Sequence, residues 1–218
     1  MTKPSFALAG LLLVAAGPAL SETFPGDTPR LTEGAAAAGI QHEYTGDWEF
    51  FVGGGAASFD CNGDRMPDLF LAGGTSPAQL YINRSDAGDA LAFEAAPLLQ
   101  SGKAVTKATG AYPIDLNNDG HQDLVVLRLG SNRILLGEGD CLFNDANKAL
   151  GFDGGRAWTT SFSAIWEEGE TFPTLAFGNY VDRRAPGSPF GTCEDNRLVR
   201  PASSEGALPD YSQSTPLS

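Results

Sequence analysis

The sequence predicts an all-β protein assembled from repeated four-stranded units, and three observations support this fold class. The chain of 218 residues contains 27 Gly and 14 Pro, an abundance that is typical of many turns and few long helices. Aromatic and β-branched residues are too plentiful for a chain that is disordered throughout. The most informative observation is a short acidic motif that occurs twice with the same spacing of oxygen-bearing side chains.

The first element in chain order has the composition of a secretory signal peptide. Lys3 supplies a positive start, residues 7–16 form a short apolar run, and small residues end the segment at 1–21, which predicts cleavage before Glu22. The apolar run is shorter than a typical transmembrane helix, and a single N-terminal anchor is the alternative. We therefore expect a secreted or periplasmic protein with no membrane span after signal cleavage.

The mature chain divides into a leading segment, three repeated units and a tail. The predicted boundaries are 22–45 for the leading segment, 46–100, 101–155 and 156–201 for the units, and 202–218 for a polar tail or the start of a further unit. The leading segment contains a predicted helical turn or strand. In the first two units, apolar stretches on either side of the acidic motif predict four short strands. Four strands in about 50 residues match the size of one β-propeller blade.

The repeated acidic motif carries the chemistry that points to a metal ion. Both copies have Asp at loop positions 1, 5 and 9, Asn at position 3, and a backbone carbonyl at position 7 that can join them. The predicted ligands are Asp60, Asn62, Asp64, Met66 and Asp68 in loop one, and Asp115, Asn117, Asp119, His121 and Asp123 in loop two. Ca²⁺ binds about six to eight oxygen atoms, and alternate side chains of a tight loop can converge on one ion. The sequence therefore predicts Ca²⁺ as the cofactor.

Two comparisons refine this prediction. An EF-hand requires a Glu at position 12, where this chain has Leu71 and Val126 in apolar, strand-like stretches. The alternative without metal is that these side chains cap turns through hydrogen bonds to the loop backbone, but their recurrence favours a cation site. Loop two is the better predicted site because Gly120 at position 6 tolerates a positive φ, whereas loop one has Arg65 there. Gly63 at position 4 is expected to shift the bend of loop one.

A third, degraded copy of the motif is predicted after a leading strand at 172–178. Asn179 and Asp182 retain oxygen ligands, but Arg183 replaces an acid, so this loop is expected to survive as a turn without a cation. The formal charge of −13 argues against a nucleic-acid partner, because a phosphate backbone attracts a basic surface, and no such partner is expected.

The cysteines and the other reactive side chains suggest no enzyme site. Of the three cysteines, Cys141 and Cys193 lie in Gly-bearing, loop-like sequence, which favours a bridge between them and leaves Cys61 unpaired; all three being free is the alternative. There is no nucleophile elbow, P-loop or dinucleotide motif, so no catalytic residue is predicted. A glutamate cluster at 167–170 has the composition of an acid/base pair for glycan cleavage, but acids on a polar turn are typically solvated. Trp158 and Trp166 have two possible roles. Each is either a platform on which a sugar ring stacks or, more typically, a residue that packs in the core.

Beyond the loops, the chain resembles FG-GAP/VCBS repeat proteins, which are related to the integrin α propeller. More narrowly, it is similar to exported proteins related to cartilage acidic protein, which carry a downstream ASPIC/UnbV region. The segments behind this narrower resemblance are residues 53–57, 59–64, 157–164, 173–182, 189–196 and 198–201.

This resemblance implies a seven-bladed propeller with Ca²⁺ on loops at one face. It also implies a non-catalytic role in extracellular recognition or adhesion, with a protein or glycan ligand at the outer surface. Seven blades need roughly 400 residues, so about three blades in an incomplete ring, apparently an N-terminal fragment, are expected here. The competing readings are a propeller-scaffold enzyme acting on polysaccharide and a structural module of a larger surface protein.

Overall fold

A computed structural model describes four stretches of the chain, residues 30–51, 53–187, 192–203 and 205–217. The chain divides into two compact units, Met1–Glu33 and Gly34–Ser218. The predicted signal peptide at 1–21 lies outside the described residues. A search of the described residues finds no helix with the length and apolarity needed to span a membrane.

The described residues form three four-stranded antiparallel sheets and one 3-10 helix at Trp48–Phe50. The strands are β1 Ala56–Phe59, β2 Asp68–Leu71, β3 Gln79–Asn83, β4 Phe93–Ala96, β5 Ala108–Ile114, β6 Asp123–Arg128, β7 Arg133–Gly137, β8 Phe143–Asp145, β9 Thr159–Ile165, β10 Thr174–Asn179, β11 Asn196–Val199 and β12 Ser214–Leu217. Each sheet contains four consecutive strands in sequence order, which is the connection of a propeller blade. The predicted all-β fold class is confirmed, and the sheets correspond to an incomplete set of blades.

The middle sheet, β5 to β8, is buried on both faces. Successive side chains of a strand point to opposite faces of its sheet. On β6, Leu124 and Val126 accordingly pack with side chains of the first sheet, whereas Val125 and Leu127 pack with side chains of the third. This explains why β6 is a continuous apolar run rather than an alternating one.

The first strands of the three sheets lie next to one another. β5 contacts both β1 and β9, and the backbone amide of Gly55 donates to the carbonyl oxygen of Thr109 at 2.8 Å. A Cβ on Gly55 would lie 3.0 Å from the Cα of Gly110, a tight contact that the backbones could accommodate only by shifting, so this close approach favours glycine. Because these strands run side by side, the segments that precede them gather at one end and the loops that follow them gather at the other.

The end of the leading segment covers the first sheet. Residues 35–39 form a turn in which the Ala38 amide donates to the Gly34 carbonyl at 2.9 Å, so the helical-turn alternative is the one the structure shows. The hydroxyl of Tyr81 on β3 donates to the carbonyl of Gln41 at 2.6 Å. Tyr81 is buried although it points away from the second sheet, because this segment lies over it.

The third sheet differs from the predicted third unit. Residues 172–178 were expected to be the leading strand, but the leading strand is β9, and β10 is the second strand of the sheet. The reason is that an apolar stretch ending in Gly and Asn fits either strand. The end of the chain also differs: β12 lies within 202–218 and pairs with β11 instead of forming a tail. Pro216 is tolerated there because β12 is an edge strand.

Candidate functional site

The two acidic loops occupy equivalent places in adjacent sheets. Asp60 directly follows β1 and Asp68 begins β2, while Asp115 directly follows β5 and Asp123 begins β6. Both loops therefore lie at the end of the sheets that follows the first strands. A cleft of about 500 Å³ separates them, and its further lining includes the acidic side chain of Glu138.

Within loop one, the ligand-type side chains are organised by the loop's own backbone. The Oδ2 atom of Asp60 accepts a hydrogen bond from the amide of Arg65 at 2.8 Å. Asn62 donates from Nδ2 to Oδ2 of Asp64 at 2.9 Å, and Oδ1 of Asp64 accepts from the amide of Met66 at 2.7 Å. These bonds hold positions 1, 3 and 5 on a single tight turn.

Loop two repeats the same bonds at the same positions. The Oδ2 atom of Asp115 accepts from the amide of Gly120 at 3.0 Å. Asn117 donates to Oδ2 of Asp119 at 2.8 Å, and Oδ1 of Asp119 accepts from the amide of His121 at 2.8 Å. Since the sequences between the shared positions differ, the shared residues encode this common geometry.

Both loops use positive φ angles at positions 4 and 6. In loop one these are Gly63 at 77° and Arg65 at 68°, and in loop two they are Asn118 at 60° and Gly120 at 86°. The expectation that Gly63 shifts the bend away from Arg65 is wrong, because Arg65 itself adopts the left-handed conformation. A non-glycine residue in that region costs roughly 1–2 kcal/mol, so loop one carries a strain that loop two avoids at position 6.

The aspartate at position 9 connects each loop to the sheet behind it. Asp123 is fully buried, and its two oxygens accept from the amides of Leu116 in the loop and Gly137 at the end of β7, both at 2.8 Å. Asp68 is equally buried and makes the equivalent pair of bonds to backbone amides. These aspartates fix the loops to the sheets.

The charge of the acidic side chains is not compensated by cationic ones. The pKa of Asp123 is raised to about 7, mainly by burial and to a smaller extent by repulsion from Asp119 and Asp115, against the lowering effect of its two amide bonds. Burial likewise raises the pKa of Asp68. Among the described residues, no ion pair includes a loop aspartate. A bound cation would supply the missing positive charge.

The oxygen-rich composition of the loops fits a hard cation, although the carboxylates are currently turned towards backbone amides. Among the described residues, the one group of three His, Cys, Asp or Glu side chains with ligand atoms within 4.8 Å of one another is Cys61, Asp68 and Cys141. Its two cysteines form a disulfide, so they are not thiolate ligands. The choice of calcium ligands made from the sequence stays a prediction.

The disulfide corrects the cysteine pairing expected from the sequence. Cys61 is bonded to Cys141, and Cys193 is the free, exposed cysteine of the described residues, so the expected Cys141–Cys193 bridge is wrong. Cys141 lies in the turn between β7 and β8, at the same end of the sheets as loop one. Cys193 lies in the β10–β11 connection at the opposite end. The bridge therefore joins loop one to the neighbouring blade.

The true third loop is the connection from β9 to β10, residues 166–173. It keeps the spacing of the acidic loops but has Trp166 at position 1 and Thr174 at position 9, so the ladder is lost. Glu167 accepts hydrogen bonds from the Thr174 hydroxyl at 2.6 Å and from Arg200 at 2.9 Å, which lower its pKa. On the other side, Asn118 of loop two donates to the carbonyl of Thr171 at 2.8 Å and joins the two loops.

The segment expected as a third acidic loop lies at the other end of the sheets, because it follows β10 rather than a leading strand. Asp182 accepts from both the backbone amide and the Nε of Arg184, and these bonds lower its pKa. Arg183 is paired with Glu49. The side chains of this segment are therefore neutralised by one another and by Glu49 of the 3-10 helix.

Comparison with known families supports the repeat. Residues 60–126 match the family model of the FG-GAP-like repeat. The matched segment begins at the first aspartate of loop one and ends within β6, so it contains both acidic loops. No curated protein matches the chain.

The sheets and the matched segment together define a β-propeller-type protein that carries an FG-GAP-like repeat. The narrower resemblance to exported cartilage acidic protein-like proteins stays a prediction.

Proposed function

We propose that this protein is an exported calcium-binding β-propeller repeat protein that acts, without catalysis, in extracellular recognition or adhesion. The observation that carries the proposal is the pair of loops in adjacent blades with the same acidic positions and the same internal hydrogen bonds. Turn capping alone would not require three aspartates in each loop whose charge the protein leaves uncompensated.

Each loop would hold its ion through side chains at positions 1, 3, 5 and 9 and the carbonyl of position 7. An oxygen that accepts one amide hydrogen bond retains a second lone pair, so the bonds described above do not exhaust the donor set. The ion would supply two positive charges where three carboxylates repel one another. Of the two sites, loop two is proposed to bind more tightly, because Gly120 takes its positive φ without strain.

Export is supported by two independent features. The first 21 residues have the composition of a signal peptide. The Cys61–Cys141 disulfide is of the kind that persists in oxidising compartments, such as the periplasm and the extracellular space. Amino-terminal sequencing of protein recovered from the periplasm or medium should begin at Glu22, and retention of the first 21 residues would contradict signal cleavage.

A recognition role is supported by the position of the two acidic loops at the same end of the sheets, where bound ions would make them rigid. Bound ions would order the ends of the blades, so that the outer surface is presented to a protein or glycan without a further entropic cost. Pull-down on glycan and extracellular-protein arrays with Ca²⁺ and with chelator tests this role. Capture that depends on Ca²⁺ is expected, whereas release of new reducing ends from polysaccharides would favour an enzyme instead.

Calorimetric titration of the full chain with Ca²⁺ tests the metal sites directly. We expect two bound ions, and one after Asp119→Ala. Asp182→Ala is the matched control, because Asp182 lies at the other end of the sheets and is paired with Arg184. Ca²⁺ at 100 times its dissociation constant should stabilise each site by about 2.7 kcal/mol. An unchanged melting temperature at saturating Ca²⁺, or equal losses in both variants, would contradict the assignment.

A further inference from the structure

The end of the sheets opposite the acidic loops contains an aromatic cleft of about 600 Å³. Its aromatic lining consists of Tyr44, Trp48, Phe51, Trp158 and Tyr180. Trp48 is 46%, Phe51 77% and Tyr180 56% exposed, so three large rings of one site face solvent. Such a concentration of exposed aromatic rings is typical of a binding site rather than of an ordinary surface.

The rings of this aromatic cleft stand at right angles to one another. The centroids of Trp48 and Trp158 are 5.3 Å apart with an interplanar angle of 77°. Those of Trp158 and Tyr180 are 5.1 Å apart with an angle of 88°. Perpendicular rings cannot all stack on one flat ligand, whereas a compact, rounded group can contact several of them at once.

The central wall is fixed in place by the core. Trp158 is 5% exposed and packs in a buried cluster with Phe50, Leu129 and Val181. Its carbonyl accepts from the amide of Tyr180 at 2.9 Å, which holds two walls in register. The cleft is therefore preformed, and binding would not have to order it.

The polar groups of the aromatic cleft are few and balanced. Glu49 is the charged side chain of its lining, and it is paired with Arg183. The hydroxyl-bearing residues Thr109 and Thr160 complete the polar lining. Because the ion pair is locally neutral, selectivity for charge must come from the ring faces, while the net charge of −13 attracts cations over longer distances.

We propose that the aromatic cleft binds a quaternary ammonium group, such as the trimethylammonium of choline. Aromatic faces attract cations through the negative potential of their π-systems, and this attraction grows when the cation is desolvated. A methylated ammonium has the rounded shape that adjoining perpendicular walls accommodate. It also has no N–H donors that the apolar walls would leave unsatisfied.

Tryptophan fluorescence provides a direct test. The chain has three tryptophans, at 48, 158 and 166, and the first two line the cleft. In a Trp166→Phe background the whole indole signal therefore reports on the cleft. Titration with choline should give saturable quenching. The neutral isostere 3,3-dimethylbutan-1-ol should bind roughly tenfold more weakly, since it lacks the cation.

A conservative variant separates cation–π attraction from simple apolar contact. Tyr180→Leu keeps an apolar side chain but removes the ring, and because Tyr180 is 56% exposed the substitution leaves the buried core intact. The affinity for choline should fall at least about threefold in this variant, whereas the affinity for the isostere should not change. Equal binding of choline and the isostere to the parent protein, or no saturable response to choline, would overturn the proposal.

Two further measurements distinguish a lipid headgroup from a soluble molecule as the source of the quaternary ammonium group. Sedimentation with phosphatidylcholine vesicles, against phosphatidylglycerol vesicles as control, would assign the site to a lipid headgroup. Saturation by free choline without vesicle binding would assign it to a soluble ligand. Quenching by glucose in place of choline would show a sugar site and overturn the proposal. Loss of one Ca²⁺ ion in the Asp119→Ala variant should leave the choline response intact, which keeps this test independent of the calcium sites.

Discussion

Removal of the Cys61–Cys141 disulfide should strongly destabilise the protein. The bridge joins residues separated by 80 positions in sequence and links loop one to the neighbouring blade. In the chain-entropy treatment, a cross-link across a loop of this length removes about 15 cal/mol/K of entropy from the unfolded chain, or about 4.5 kcal/mol at 25 °C. For a chain of this size, 1 kcal/mol corresponds to about 2–4 °C, so the Tm should fall by roughly 9–18 °C.

The assay compares Cys61→Ala/Cys141→Ala with the parent by urea unfolding, followed by tryptophan fluorescence. Cys193→Ala is the matched control, because Cys193 is exposed and free, and its free energy of unfolding should stay within about 0.5 kcal/mol of the parent. Thiol titration of the unfolded, unreduced parent should detect one free thiol and find none in Cys193→Ala. Three thiols in the parent, or equal stability of the double variant and the parent, would refute the reasoning.

Three further predictions concern loop strain, pH and packing. Arg65→Gly should raise the free energy of unfolding by about 1 kcal/mol, because glycine takes the φ of 68° without strain; unchanged or lower stability in urea would contradict this. In chelator, the raised pKa of Asp123 means that the folded state keeps its proton to about pH 7, whereas the unfolded chain loses it near 3.8. This group's contribution to stability is therefore full below about pH 4 and is lost as the pH rises through 7. The free energy of unfolding in urea should be lower at pH 8 than at pH 5, and this difference should be smaller in Asp123→Asn. Phe70→Ala should cost about 3–5 kcal/mol because Phe70 is fully buried between the first two sheets, whereas Leu91→Ala, at an exposed position, should cost less than about 0.5 kcal/mol.

The sequence predicts the fold class and the two acidic loops because their information is local. Asp60 and Asp115 each head a run in which position 1, 3, 5 and 9 side chains define a loop of fixed length. The apolar stretches on either side predict strands, with alternate burial in β1 and continuous burial in β6. The hydrogen bonds of both loops follow from the same spacing, so one loop serves as an internal check on the other.

The third unit and the disulfide depend on information that is not local. With Trp166 at position 1 and Thr174 at position 9, the third loop has lost every marker except its length, and the sequence of β10 resembles a leading strand equally well. Cys61 and Cys141 meet because blades stack with their equivalent ends together, and sequence separation alone says nothing about that. Loop-like context was therefore a poor guide to pairing.

The aromatic cleft is distributed over four separate parts of the chain. The sequence predicts a packing or stacking role for Trp158, but Trp48 and Tyr180 carry no such signal in their own sequence context. What marks these two rings as binding residues is their exposure to solvent. That exposure becomes apparent only in the structure, where the first strands of the three sheets lie side by side. The equivalence of Gly55 and Gly110, where two backbones meet, is the one sequence feature that could have indicated this arrangement.

The hydrogen bond from Asn118 to Thr171 and the Cys61–Cys141 bridge have a joint effect on how the rim responds to ligand. The bridge ties loop one to the β7–β8 turn of the second blade, and the hydrogen bond ties loop two, which belongs to that blade, to the third loop. An ion that orders one acidic loop would also reduce the mobility of the blade to which that loop is tied. A second ion would then bind at a lower cost in conformational entropy. We therefore expect binding of Ca²⁺ at the two proposed sites to be cooperative, and Cys61→Ala/Cys141→Ala to make it less cooperative.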